Sequence, residues 1–137
     1  MNPYARHQVQ SSTTTPRIDM LLSLLDAACD RIAEAAESMM GADEEVARRL
    51  RARARLVILG LWSGVDDRSE ESANFVGLYQ FTANALASGT LEEVRGSLEV
   101  LRTLREGFRG IRDEAVDLER NGAIPPIDAI CAIHVLG

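Results

Sequence analysis

Thr90 to Leu118 reads TLEEVRGSLEVLRTLREGFRGIRDEAVDL, and the reading of this stretch decides the fold. Leu91, Val94, Leu98, Leu101, Leu104, Phe108, Ile111, Ala115 and Leu118 step by threes and fours. That spacing puts them on one side of an α-helix, as in the seam of a bundle. Thr90 with Glu93 forms a capping box, which fixes where the helix begins. Gly96, Gly107 and Gly110 each weaken a helix interior by about 1 kcal/mol relative to alanine. A bend or break is therefore expected near Gly107–Gly110.

Upstream, Ser69 to Ala87 carries a second helix, capped by Ser69 and closed by Gly89. Phe75, Leu78, Tyr79, Thr82 and Leu86 make its stripe. Phe81 falls off that stripe, on the side of Asn74 and Ala85. A large apolar residue in that position either sits centrally in a core or is offered to a partner. Further upstream, Asp43 caps another helix, with Glu44 and Glu45 suited to its dipole. Val46, Leu50, Ala54, Val57 and Leu61 are its inward stripe. Its second half, Leu56 to Trp62, is apolar all round, and Leu59 and Trp62 continue the face of Arg48, Arg51 and Arg55. The first helix starts at Thr15-Pro16, with Thr15 as N-cap and Pro16 at the first helical position. Ile18, Leu21, Leu22, Leu25, Cys29, Ile32, Ala36 and Met39 follow one face, and Gly41 ends it.

Four long helices with short links predict an all-α, antiparallel up-down-up-down four-helix bundle over residues 15–121. Residues 1–14 read as a flexible N-terminal arm, with Tyr4 and Val9 as its apolar handles. Residues 122–137 read as an apolar C-terminal extension, expected to dock as a short helix after Pro125-Pro126.

Composition agrees. The chain has 137 residues, the length of one domain with a real core. It is 46% hydrophobic but only 4% aromatic, so the core is built from aliphatic side chains, as packed helices require. No proline lies between Arg17 and Ile124, which favours long helices over strands and turns. A net charge of −6 argues against a general nucleic-acid binder. Of the two cysteines, Cys29 lies on a core stripe and reads as a buried free thiol, not a disulfide partner of Cys131. The polar start lacks the apolar region of a signal peptide, and no apolar run is long enough to cross a bilayer. The expected location is cytoplasmic.

No catalytic or metal constellation emerges. His7 and His134 have no ordered carboxylate neighbour for acid–base work. No pair of Glu-x-x-His motifs exists for a di-iron bundle. Cys131-Ala-Ile-His134 supplies two ligands, and two make no site. Asp66-Asp67 reads as turn chemistry, Ser63 lacks a nucleophile-elbow context, and Gly60 and Gly64 lack the Lys-Ser/Thr of a phosphate loop. The expectation is no enzyme, no metal and no cofactor.

The residues resemble those of the flagellar secretion chaperone FliS family. The likeness is carried by Asn2-Pro3-Tyr4-Ala5, Thr14-Thr15-Pro16, Leu21-Leu22-Ser23-Leu24-Leu25-Asp26, Ala73-Asn74-Phe75-Val76-Gly77-Leu78-Tyr79, and Leu91-Glu92-Glu93-Val94 to Leu101-Arg102-Thr103-Leu104-Arg105. It runs from Met1 to about Arg109. The chain departs from the family pattern in Leu24-Leu25-Asp26-Ala27, where members have Leu-Tyr-Asp-Gly, and in its extension past Gly110. The resemblance implies a helical, cytoplasmic chaperone that binds the disordered C-terminal segment of flagellin, prevents premature polymerisation and presents the subunit to the export-gate machinery. It implies no nucleotide and no metal, while net charge and hydropathy lead to the expectation of no nucleic-acid partner and no direct membrane insertion.

The residues allow a client groove lined by Leu56, Leu59, Trp62, Asn74 and Phe81, with Arg48, Arg51 and Arg55 steering acidic client residues. Tyr4 and Val9 form a candidate latch over it. The apolar tail is a second candidate cover, or else core packing or a homodimer contact. The competing class is a self-associating structural or adaptor bundle with no unfolded client.

Overall fold

The structure, a computed structural model, describes residues 15–65 and 70–122. Its helices are α1 (Arg17–Met39), α2 (Glu44–Ser63), α3 (Glu70–Ser88), α4 (Leu91–Gly110) and α5 (Arg112–Arg120). No strand occurs among the described residues. Four long helices form an all-α bundle, and α5 is a short addition at the end of α4.

Short links make sequence neighbours antiparallel, and side chains fix how α4 closes onto α1. Arg95 reaches Met40, Arg105 and Arg109 reach Asp26, and Arg112 reaches Asp19. Rising numbers on α4 thus meet falling numbers on α1. α1 packs on α2 and α4, and α3 packs mainly on α2. The thinnest of the four seams lies between α3 and α4.

Leu25, Ile32, Ile58, Leu86, Val94 and Leu101 fill the core, with Cys29 and Thr82 among them. The Thr82 hydroxyl donates to the Leu78 carbonyl at 2.9 Å, which satisfies it without a cross-helix partner. Burial pushes the Cys29 thiol above its ordinary pKa.

Helix ends follow local chemistry, with one exception. Asp43 accepts from the Glu45 and Val46 backbone N–H groups, both at 3.1 Å. Thr90 and Glu93 make the reciprocal capping box. At α1, however, Pro16 and not Thr15 is the N-cap, and it supplies no side-chain bond. The first free helix N–H, Arg17, instead donates to Glu119 Oε2 of α5 at 2.8 Å. A carboxylate from the far end of the chain thus does the capping work expected of Thr15. The expected Ser69 cap lies outside the described residues.

Two stripes differ from expectation. On α2 the buried residues are Ala47, Ala54, Ile58 and Leu61, while Val46, Leu50 and Val57 are half-buried. Small Ala47 is buried where the pattern favours the larger Val46 and Leu50. On α4 the seam does not run through to Leu118. The helix breaks directly after Gly110, and Ile111 caps α5. Beyond the break Val116 is buried to 5% exposure, while Ile111 and Leu118 face solvent.

Candidate functional site

What covers α3 distinguishes its two flanks. The Ala83 carbonyl accepts from Arg55 Nε at 3.3 Å, so the Ala83 flank faces α2. On the other flank Phe75 stacks on Phe108 of α4, with ring centroids 6.1 Å apart. At the end of α3 the Gly89 N–H donates to the Ala85 carbonyl at 2.8 Å, and a Cβ on Gly89 would come within 2.7 Å of the Ala85 backbone. A helix turns about 100° per residue. Leu78, Ala85, Asn74 and Phe81 therefore follow one another around the α4 flank of α3, from packed to exposed.

α4 has matching flanks. Arg105 and Arg109 point to Asp26 of α1, at 3.3 and 3.0 Å. The opposite flank, toward α3, carries Val100, Leu104, Gly107 and Ile111. The Phe75–Phe108 pair sets the antiparallel register. It brings Phe81 level with Val100 and Leu104, and Asn74 level with Gly107 and Ile111. Leu78 and Leu104 are half-buried against the core and floor this seam. Phe81 and Val100 are each 50% exposed and Ile111 is 47% exposed. At Gly107 a Cβ would meet nothing within 4 Å. The result is a shallow apolar trough along the thinnest seam of the bundle.

The expected groove residues thus separate into two strips. Asn74 and Phe81 belong to the α3–α4 trough, both exposed. Leu59 and Trp62 sit on the α3-facing flank of α2, half-buried and packed on the core. Leu56, 68% exposed, points away from the bundle. The physical reason is rotational: Leu59 and Asn74 lie on opposite sides of the α2–α3 contact marked by Arg55. Val100 and Ile111 were not legible as site residues. Val100 stands one position off the seam, and Ile111 follows the seam's spacing but lies at its edge, between the phases of Leu104 and Val100.

The arginines also differ from one another. Arg48 is exposed and pairs with Glu45 at 3.5 Å. Arg55 is engaged with the Ala83 carbonyl. Arg51 is half-buried, and its Nε has no hydrogen-bond partner. Tyr4 and Val9 lie outside the described residues, as does the expected helix after Pro126. Among the described residues no helix is long and apolar enough to cross a membrane.

Comparison with curated proteins and with solved structures gives no match. A family model described as flagellar protein FliS matches residues 1–115, which include the whole trough and stop partway along α5. With most of its length matched, and with the helical bundle that the match requires, this chain belongs to the flagellar protein FliS family of flagellar export chaperones.

Proposed function

We propose that this protein is a cytoplasmic chaperone that holds the disordered C-terminal segment of flagellin, prevents its premature polymerisation and hands it to the export-gate machinery. The observation that supports this reading best is the row of half-exposed Phe81, Val100 and Ile111 along one trough. An amphipathic client helix uses apolar anchors at i, i+3, i+4 and i+7, and such a trough receives them. The Asn74 side chain, exposed beside it, supplies a hydrogen-bonding group for the client backbone.

A long client also reaches the second strip. Gly77 lies on the outer face of α3, where a Cβ would meet nothing within 4 Å. A chain crossing there meets Leu59 and Trp62, then Leu56. Arg48 and Arg51 attract acidic client residues to that side.

The test is titration with a flagellin C-terminal peptide, followed by calorimetry and by the emission of Trp62, the single tryptophan. Binding weakened by Phe81→Ala supports the trough. A change in Trp62 emission reports the second strip. A stable homo-oligomer that ignores the peptide overturns the chaperone reading in favour of a self-associating bundle.

A further inference from the structure

The trough is apolar yet has no cover among the described residues, and the chain itself contains a matching segment. We propose that residues 124–136 lie in the α3–α4 trough when no client is bound. This deepens the chaperone reading by naming what the client displaces, although occupancy by the tail can be measured without any client.

The start of the tail is fixed by α5. Arg112 Nε and Nη2 donate to the two carboxylate oxygens of Asp19 at 2.9 and 2.8 Å. Glu119 accepts from the Arg17 N–H, and Val116 is buried between them in sequence. Gly122, with φ 78°, then ends α5 in the left-handed conformation that reverses a chain. The tail thus sets out from the end of the bundle that carries Ile111, the foot of the trough.

Its length and chemistry fit. Residues 123–126 extend to about 13 Å at most, roughly one helix diameter. Ile127 to Leu136 would measure about 15 Å as a helix, and the rise from Val100 to Ile111 is about 16 Å. Ile124, Ile127, Ile130, Ile133 and Leu136 recur at every third position, and Asp128 is the only charged side chain among them. The N-terminal arm offers only Tyr4 and Val9 as large apolar side chains beyond Met1, within a polar run. The tail also lies beyond the family match, which ends at residue 115.

Cys131 makes the proposal testable by disulfide trapping in the full-length chain, since Cys29 is buried and does not compete. Val100→Cys and, as a second site, Ile111→Cys are oxidised and compared with Arg53→Cys on the exposed back of α2. Intramolecular closure onto Cys131 at least about tenfold faster at Val100 or Ile111 is expected, because docking raises the local concentration of the thiol. Adding Ile130→Asp and Ile133→Asp should reduce that rate to the Arg53→Cys value. Equal rates at all three sites, or rates indifferent to the tail substitutions, overturn the proposal. Disulfide-linked dimers overturn it in favour of a second copy in the trough. Slow trapping that accelerates when Tyr4 and Val9 are changed to alanine overturns it in favour of the arm. Added flagellin peptide should slow the trapping. Fast trapping that the peptide neither slows nor competes with would leave the tail docked and remove the client instead.

Discussion

Phe81→Ala offers the sharpest separation between binding and folding. A phenylalanine side chain carries about 200 Å² of contact surface, and Phe81 is 50% exposed. A client that covers it removes about 100 Å² from water, worth about 2.5 kcal/mol at ~25 cal/mol per Å². Association does not return the full value of buried area, so the loss on truncation lies at about 1–2.5 kcal/mol. That corresponds to a Kd weakened about fivefold to sixtyfold. The companion variant is Leu86→Ala, which lies in the same helix but is only 2% exposed. It should cost about 2–5 kcal/mol of stability through the cavity it leaves, with no selective loss of affinity in the fraction that remains folded. Calorimetric titration with a flagellin C-terminal peptide and urea unfolding read the two effects separately. A Phe81→Ala protein that folds normally and binds within twofold of the parent would refute the trough as the principal contact. Weakening by Leu56→Ala instead would move the client to the outer face of α2.

Thr90→Ala and Glu93→Ala should each destabilise by about 1 kcal/mol, and the double variant by less than the sum, because the two side chains complete one capping box; urea unfolding measures this. The Arg112 guanidinium, hydrogen-bonded to Asp19, holds that carboxyl below its ordinary pKa. The stability this contributes is full above the unfolded value of about 3.9 and is lost as pH falls through the folded value. Thermal scans in acid should therefore show a shallower decline for Asp19→Asn than for the parent. Burial pushes the Tyr79 phenol up to about 12. In a Tyr4→Phe background its ultraviolet titration should begin well above pH 10, and stability should fall as pH rises from about 10 toward 12. Glu119→Gln should lower the amide-exchange protection of the first turn of α1, because it weakens the charged cap on Arg17.

Much of the architecture was legible because it rests on local rules. The seam from Leu91 to Phe108, the Asp43 cap and the Thr90–Glu93 box depend on residues within a turn or two of each other, so spacing alone specifies them. The absence of proline between Arg17 and Ile124 and the scarcity of aromatic residues pointed to long aliphatic helices for the same reason. Tertiary structure decided what spacing leaves free, namely rotation about each helix axis and partners distant in sequence. The cap on α1 comes from Glu119, 102 residues away, which no pattern around Thr15 can reveal. The helix breaks directly after Gly110, with Ile111 exposed and Val116 buried, whereas glycine spacing only located a weak point. Phe81 and Asn74 read as neighbours of Leu59 and Trp62 because all four lie off their stripes. A stripe defines an inside and an outside but does not say which neighbour flanks each edge, and that was settled only when Arg55 met Ala83 and Phe75 met Phe108.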